Sequence, residues 1–186
     1  MELGFQEEWN QQATGAKWQE KVREAIMQQE EAEWRRRVAS SSKLEFYAKW
    51  KKEYKMEEYL STQDVRKRRT WTKMRGGCLE LRIETGRWER RSVEGRQVKV
   101  PRAMRMCKLC GVELEDAEHV MLRCDEYNEE RRGLKAAGRR AGLTDASAPQ
   151  EWWEWIMEGD GEEEGMQLLV DIMRRTAELM QQRGIA

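Results

Sequence analysis

Three of the chain's four cysteines and its only histidine lie between Cys107 and Cys124. Two residues separate Cys107 from Cys110, eight more precede His119, and four more precede Cys124. A C-x2-C pair on a tight turn can bring two thiolates to one tetrahedral zinc ion, at about 2.3 Å each. Gly111, directly after the second cysteine, gives the backbone freedom to turn N–H groups towards the sulfurs. The segment therefore predicts one structural zinc ion, held by Cys107, Cys110, His119 and Cys124.

The spacing of the last two ligands constrains the backbone between them. His119 and Cys124 are five residues apart, so on a straight α-helix their side chains would point about 140° away from each other. We expect a helix capped near residues 115–116 to end or unwind around Leu122, with Cys124 starting the next helix. The side chains that would then pack inwards over the site are Val120, Met121 and Leu122.

Two other interpretations of the cluster stay open at this point. The cysteines could be buried structural residues beside a surface histidine, without a metal. They could also form a nucleophilic Cys–His pair, but no third orienting group and no oxyanion loop accompany them. A closed four-ligand zinc site leaves no open coordination position, so we expect it to be structural. Cys78 stands apart and is expected to be an ordinary thiol of the core or surface.

The composition favours a mostly α-helical fold with a small or divided core. The 186 residues are 38% charged, with a mean hydropathy of −0.99, so little apolar material is available for a large core. Nine tryptophans partly offset this shortage, because each can bury a large apolar area. Only two prolines and an abundance of Glu, Lys, Arg, Gln and Met favour helices. We expect one domain or two small ones.

The net charge of zero hides a strong segregation of charge along the chain. Residues 66–108 contain fifteen basic and four acidic side chains, whereas residues 109–186 contain nine basic and eighteen acidic ones. A dense basic block is typical of a nucleic-acid surface or of a solvated helix face. The alternative is that the basic face pairs with the acidic tail of the same chain.

The sequence shows no membrane-length apolar run, and its N-terminus "MELGFQEEWN" is acidic where a signal peptide is basic and then apolar. We therefore expect a protein of the nucleus or cytoplasm that is not secreted and does not bind a membrane. In such a compartment clustered cysteines favour metal binding over disulfides.

The basic block is predicted to bind RNA or DNA along residues 66–108. Its cations would surround most of a helix and contact phosphates, and exposed tryptophans could stack on bases. Such binding depends on the backbone charge and is sensitive to salt. The residues predicted to contact nucleic acid are Arg66, Lys67, Arg68, Arg69, Trp71, Lys73, Arg75, Arg82, Arg87 and Trp88. The tryptophans outside this block, Trp9, Trp18, Trp34, Trp50, Trp152, Trp153 and Trp155, are expected to pack between helices.

Sequence patterns divide the chain into four segments. These are an amphipathic helix in residues 1–41, a basic helical segment and loop in 42–106, a zinc-knuckle-like module with a following helix in 107–141, and a Trp-rich, acidic helical tail in 142–186. Helices are predicted at 15–39, 43–54, 61–74, 125–141 and 166–183. A further helix is predicted to start at Pro149 and to end before an acidic turn at 159–165.

Four local features of these segments are also predicted. Ser42 is expected to cap a helix with Glu45 in a capping box. The stretch "LELRI" (79–83) alternates with period two and could be a short strand, but we expect a helix with its three apolar side chains buried. Residues 88–106 are expected to form a basic loop. The side chains predicted to share the apolar face of the last helix are Leu168, Leu169, Ile172, Met173, Ala177 and Met180.

Three stretches in the middle of the chain follow one another in a recognisable order: "LELRIETGRW" (79–88), "RMCKLCG" (105–111) and "EDAEHVMLRCDEYNEER" (115–131). Residues 43–134 resemble the C-terminal, post-polymerase region of reverse transcriptases from non-LTR (LINE-type) retrotransposons. In that family a basic helical segment precedes a C-x2-C…H-x4-C knuckle. The matching residues are Gly77, Leu81, Ile83, Glu84, Gly86, Arg87, Trp88, Arg105, Cys107, Cys110, Gly111, Glu115, Asp116, Glu118, His119, Cys124, Tyr127 and Arg131.

The resemblance implies a non-catalytic, zinc-stabilised nucleic-acid-binding module that derives from such a reverse transcriptase. The polymerase palm of the family needs two adjacent aspartates, and no two of the six here are neighbours. The single histidine also leaves none for an apurinic-type endonuclease site. We expect neither an enzyme nor a small-molecule substrate. The alternatives are a helical protein–protein interaction scaffold with a purely structural zinc and helix-mediated self-association, or a non-functional retroelement relic.

Overall fold

The computed structural model describes residues 15–158 and 160–184, and these are mostly helical, as the composition predicts. The α-helices are α1 (Ala16–Ser40), α2 (Glu45–Trp50), α3 (Val65–Arg75), α4 (Arg82–Thr85), α5 (Arg131–Arg140), α6 (Pro149–Glu158) and α7 (Glu162–Arg183). Strands β1 (Arg90–Val93) and β2 (Arg96–Lys99) form one antiparallel pair. Short 3-10 turns lie at Ser42–Leu44, Glu58–Ser61, Arg102–Met104 and Asp125–Tyr127, and a π-helical turn at His119–Arg123.

The chain divides into two compact units, Met1–Lys55 and Met56–Ala186. Residue Trp9 and the first part of the predicted N-terminal segment lie outside the described residues. No helix within the described residues is both long and apolar enough to span a lipid bilayer.

The first unit is built on α1, which ends at Ser40, close to the end that the serine run predicts. No residue of α1 is buried, and Ile26 is 45% exposed. The ring of Trp34 packs against Tyr47 and Tyr54, at centroid distances of 6.4 and 5.6 Å. These contacts place Trp34 between helices, as predicted.

The helix predicted for residues 43–54 is shorter in the structure. It begins as a 3-10 turn and continues as α2, which ends at Trp50. The predicted capping box is wrong, because Ser42 lies inside the 3-10 turn and neither this turn nor α2 has a side-chain cap.

Helix α7 is the central element of the second unit. It packs against α3, α5 and α6, and it also contacts the π-helical turn His119–Arg123. The fully buried side chains around it include Trp71, Trp153, Ile156, Leu169 and Ile172. The apolar face of this helix is largely as predicted, except that Ala177 is exposed and Leu179 is buried in its place.

Helix α3 starts at Val65, later than the predicted start at residue 61, and Asp64 caps it. The side chain of Asp64 accepts hydrogen bonds from the backbone N–H groups of Arg66 (2.9 Å) and Lys67 (3.1 Å). Ser61 instead ends the preceding 3-10 turn. An Asx cap satisfies two of the N–H groups that a helix start leaves unpaired.

The basic loop predicted for residues 88–106 is wrong, because its first half is a β-hairpin. The strands pair in register from Arg90 opposite Lys99 to Val93 opposite Arg96, and every residue of both strands is exposed. Glu94 and Gly95 connect them with positive φ angles of 50° and 77°. A two-residue turn with both φ values positive has the twist that a tight hairpin needs.

The helix predicted over "LELRI" is also wrong in its first half. Residues 78–81 are not helical, and α4 begins only at Arg82. Gly77, with a φ of 62°, turns the chain after α3 and ends the helical run. Leu79, Leu81 and Ile83 are nevertheless buried, as predicted.

The helix predicted for 125–141 is divided in the structure. A 3-10 turn covers Asp125–Tyr127, and α5 begins only at Arg131.

The substitution Gly165→Ala should destabilise the protein, because a Cβ there would lie 2.6 Å from Ile156 Cγ2 and 3.0 Å from Trp71 Cη2. Overpacking of a filled core costs about 1–3 kcal/mol, which exceeds the ~0.5–1 kcal/mol that alanine gains over glycine in a helix. The matched control is Gly133→Ala in α5, where nothing lies within 4 Å of an added Cβ. Urea unfolding should show Gly165→Ala less stable and Gly133→Ala more stable than the wild type.

Candidate metal centre

Four side chains of the second unit converge on one point. The Cys107 and Cys124 Sγ atoms are 4.0 Å apart, and Cys110 Sγ is 3.3 Å from His119 Nε2. All four ligand atoms lie within 4.8 Å of one another, so these residues could bind one metal ion. Cys110 is half-buried and the other three are buried, whereas Cys78 is exposed and outside the cluster.

A tight turn positions the first two cysteines. The backbone N–H of Cys107 donates to Glu113 O at 2.7 Å, and that of Gly111 donates to Cys107 O at 2.9 Å. Gly111 adopts a φ of 70°, a conformation that glycine reaches without steric strain. The Val112 N–H then faces Cys110 Sγ at 3.5 Å. The sequence predicts that Gly111 lets backbone N–H groups turn towards sulfur, and the Val112 N–H does so.

A π-helical turn positions the last two ligands. The Asp116 carboxylate accepts a 2.8 Å hydrogen bond from the His119 N–H and caps the turn, close to the predicted place. The backbone then widens, so that the Cys124 N–H donates to His119 O, five residues back, at 2.7 Å. This wider turn is how the chain avoids the 140° divergence that a straight α-helix would impose. Over the site Val120 and Met121 are buried, whereas Leu122 is only half-buried.

The carboxylate of Glu115 links this segment to α4. Its oxygens accept hydrogen bonds from the backbone N–H groups of Lys108 (2.8 Å) and Arg82 (3.2 Å). The Arg82 guanidinium in turn contacts Glu89 Oε2 at 3.0 Å and donates to Met106 O at 3.1 Å. Glu89 O accepts from the Val100 N–H at 3.1 Å, just beyond the two strands. A continuous series of contacts therefore joins the Cys/His cluster to the base of the hairpin.

Burial raises the pKa of the thiols of Cys107 and Cys124. Backbone N–H groups oppose this shift: those of Cys110 and Leu109 face the Cys107 sulfur, and that of Glu126 faces the Cys124 sulfur. N–H groups aimed at sulfur favour the thiolate, which is the form that binds a metal. A bound cation would deprotonate these thiols in spite of their burial.

The other nitrogen of His119 faces a carboxylate. If Nε2 ligates a metal, Nδ1 carries the ring proton, and Glu113 Oε2 lies 3.4 Å from this buried atom. At this distance the carboxylate attracts the N–H without making a hydrogen bond of good geometry. A hydrogen bond from Arg123 lowers the pKa of Glu113, and attraction to His119 acts in the same direction. Nothing in the sequence pattern had singled out Glu113.

Two further residues connect the cluster to the core. The Tyr127 hydroxyl is 2.6 Å from Thr176 Oγ1 on α7. Arg131 is buried and donates to Asn128 Oδ1 at 2.7 Å. Two further nitrogens, Nε and Nη2, have no hydrogen-bond partner among the described residues. Burial lowers its pKa, while attraction to Cys124 opposes the shift. Its positive charge would complement three thiolates around one divalent ion, which together carry a net charge of −1.

The structure removes Trp71 and Arg75 from the predicted nucleic-acid surface, because both are in the core. Trp71 is fully buried, and its Nε1–H donates to Glu162 at 3.2 Å. Arg75 is 2% exposed and forms ion pairs with Glu57 at 3.0 Å and Glu162 at 3.9 Å. Lys67 also pairs with an acidic residue of α7, Glu163. Trp71, Arg75 and Lys67 therefore contact acidic residues of α7, as in the alternative in which the basic helix pairs with the acidic tail.

The other residues predicted to contact nucleic acid differ in their interactions within the chain. Lys73, Arg82 and Arg87 pair with Glu80, Glu89 and Glu84, respectively, and Arg68 donates to the carbonyl of Thr62. Arg66 and Arg69 are exposed on α3 and form no ion pair with any described residue. Trp88 is 76% exposed. Four further exposed cations of residues 66–108 lie on the hairpin: Arg90, Arg91, Arg96 and Lys99.

No protein-family model, curated protein or solved structure matches this chain. The resemblance to non-LTR reverse transcriptases therefore rests on its motif residues.

The substitution Glu113→Gln should weaken metal binding, because it removes the carboxylate that faces His119 Nδ1. Loss of such an outer partner typically costs about 10–100-fold in metal affinity. The matched control is Glu118→Gln, which like Glu113→Gln removes a carboxylate partner of Arg123. Competition with a chromophoric chelator for Co²⁺ or Zn²⁺ should show weakening only for Glu113→Gln. Equal affinities for the two variants would contradict a role for Glu113.

The metal-free and metal-loaded proteins should respond to pH in opposite directions. Burial raises the thiol pKa of Cys107 and Cys124 in the metal-free fold. The stability that these buried, protonated thiols contribute is therefore fully present below the ordinary thiol pKa of about 8.5. Above it the unfolded chain ionises first, and stability should fall by up to about 1.4 kcal/mol per pH unit for each thiol. In the metal-loaded protein, protons compete for the thiolates, so stability should fall as pH is lowered instead.

Urea unfolding between about pH 7.5 and 9.5, with chelator and with metal, measures both slopes. The metal-free double variant Cys107→Ala/Cys124→Ala is the control and should lose most of the alkaline slope. If the stability of the metal-free protein stays level up to about pH 9.5, the thiol pKa values of Cys107 and Cys124 are not raised by burial.

Proposed function

We propose that Cys107, Cys110, His119 and Cys124 hold one structural zinc ion, and that the chain is a non-catalytic, zinc-stabilised nucleic-acid-binding module. The convergence of the four ligand atoms carries this proposal. Zinc at about 2.3 Å from sulfur and 2.0–2.1 Å from nitrogen in a tetrahedron separates two sulfurs by about 3.8 Å, and a sulfur from a nitrogen by about 3.5 Å. The corresponding distances are 4.0 and 3.3 Å.

The chemistry of the donors favours zinc among divalent ions. Three thiolates and an imidazole suit zinc, whereas magnesium and calcium prefer oxygen ligands. Four protein ligands complete a tetrahedron, so no position remains for a substrate or an activated water molecule. The role of the ion would be to hold the C-x2-C turn and the π-helical turn together.

Cations that no carboxylate neutralises support the binding of nucleic acid. Arg66 and Arg69 on α3 and the four hairpin cations form no ion pairs within the described part of the chain. The exposed indole of Trp88 adds a surface on which a base could stack. The contacts from Glu115 through Arg82 to Glu89 would let the zinc site hold the hairpin in position.

The motif residues of the resemblance also contact one another, which supports an origin in the C-terminal region of a non-LTR reverse transcriptase. The Arg105 guanidinium donates to Ile83 O at 2.7 Å. A Cβ at Gly86 would lie 2.9 Å from the Arg105 side chain and 2.6 Å from Arg82 O, so this position requires glycine. The Glu115 N–H donates to Arg105 O at 3.0 Å, and the Ile83 N–H donates to Glu115 O at 3.0 Å.

The purified chain should contain one zinc ion per molecule and should bind oligonucleotides with a strong salt dependence. For about five phosphates, the plot of log K against log salt should have a slope of about −3.5 to −4.5. Elemental analysis, circular dichroism with chelator and fluorescence anisotropy measure these quantities. His119→Ala should lose zinc and binding together, whereas the control Cys78→Ser, a thiol outside the cluster, should keep both. A flat salt response would contradict the nucleic-acid function and leave the zinc site standing.

A second candidate is a helical protein-interaction function with a purely structural zinc ion. The 25 residues of α1 include none that is buried, and Ile26 and Met27 are about half exposed. A concentration-dependent dimer in sedimentation, together with no affinity for oligonucleotides, would favour this candidate over the first.

A further inference from the structure

The hairpin formed by β1 and β2 carries positive charge on both of its faces. Residues directly opposite in an antiparallel pair share a face, and successive residues alternate between faces. The register therefore places Arg90 and Lys99 together on one face. Arg91, opposite Val98, and Arg96, opposite Val93, lie on the other face. Each face thus presents two cations to solvent.

This arrangement is unfavourable for an isolated hairpin. Like charges directly opposite each other, such as Arg90 and Lys99, destabilise a strand pair. Two-stranded hairpins are in any case marginal without a third strand or a packed face. Within the described residues no carboxylate pairs with any of the four cations. Their charge is therefore available to an anion from outside the chain.

The base of the hairpin is held firmly, in contrast to its exposed strands. Beyond the last strand pair, the Val100 N–H donates to Glu89 O at 3.1 Å, and Val100 is buried. The Arg105 guanidinium reaches Val100 O, and Arg82 pairs with Glu89. The ribbon therefore projects from a fixed base, so its two faces approach a partner as one unit.

We infer that this hairpin enters the major groove of duplex DNA, with one face towards each phosphate backbone. This inference rests on the proposed nucleic-acid function and specifies its partner. The major groove of B-form DNA, about 12 Å wide, admits a two-stranded β-ribbon and has a row of phosphates on each side. A single strand would engage one face only. The deep, narrow major groove of A-form RNA does not admit side chains.

The turn adds a feature that fits the floor of a groove. Glu94 is the only non-glycine residue with a positive φ among the described residues, and it lies at the tip of the ribbon. A carboxylate there is repelled by phosphates, but it can accept a hydrogen bond from the amino group of cytosine.

The two faces can be tested separately in the zinc-loaded full chain. One variant is Arg90→Thr/Lys99→Thr, the other is Arg91→Thr/Arg96→Thr, and threonine keeps a high strand propensity. Each should lower the affinity for a duplex DNA of about two turns on the order of tenfold and should make the log K–log salt slope shallower by about 1.8, since two phosphate contacts are lost. Fluorescence anisotropy over a salt series, with zinc content and circular dichroism to verify folding, measures these effects.

The matched control is Arg132→Gln/Arg140→Gln, which removes two exposed cations from α5 and should leave the slope unchanged. Duplex RNA and single-stranded DNA of the same length are the comparison probes, and both should bind more weakly than duplex DNA. An effect of one face alone, or tighter binding of either comparison probe, would overturn the groove assignment. If the wild type binds DNA and both hairpin variants bind equally well, the hairpin inference fails while the proposed function stands. No binding of any probe by the zinc-loaded wild type would overturn both.

Discussion

The hydrogen bond from the Cys124 N–H to His119 O, which spans five residues, is the constraint on which the convergence of the four Cys/His side chains depends. An α-helical bond to residue 120 would keep Cys124 on the α-helical path and carry its thiol away from the cluster. The wider turn also buries Val120 and Met121, on the side where α7 packs. The geometry that aligns the ligands therefore also supplies part of the core of the second unit.

Some charged side chains of the second unit are partly or fully buried and pair with each other in the core. Glu162, at the start of α7, lies between the indole of Trp71 and the guanidinium of Arg75, and burial raises the pKa of its carboxyl against the opposing effect of these partners. A carboxylate in the first turn of a helix is also stabilised by the helix dipole. Arg75 is buried, so loss of either of its two carboxylate partners, Glu162 or Glu57, would leave its charge less well compensated, which is unfavourable. The acidic tail is therefore part of the core as well as of the surface.

The convergence of the four Cys/His side chains could be predicted from the sequence because all four lie within one short segment. The C-x2-C spacing predicts two cysteines on one turn. The His–Cys spacing of five residues predicts that the helix between them must unwind. The same is true of the buried Leu79, Leu81 and Ile83, whose alternation is visible whatever backbone carries them.

The errors have two physical causes. Trp71 and Arg75 were assigned to the surface because their partner, Glu162, is distant in sequence and no local pattern points to it. The hairpin was missed because both of its faces are exposed, so no alternation of apolar and polar residues marks the strands. Its Glu94–Gly95 turn also lacks the Asn-Gly or Asp-Gly pair that usually signals a hairpin. Glu113 faces His119 through tertiary placement alone.

The contact between α7 and the π-helical turn has a consequence for biosynthesis. The ribosome completes all four Cys/His residues before it begins α7, and Arg183 is the 59th residue after Cys124. At about 5–20 residues per second, that interval lasts roughly 3–12 seconds. Until Thr176 has been translated, the Tyr127–Thr176 contact cannot form. In a nascent chain the four side chains are therefore translated before α7 packs against the π-helical turn, and any ion they hold could bind before that packing forms.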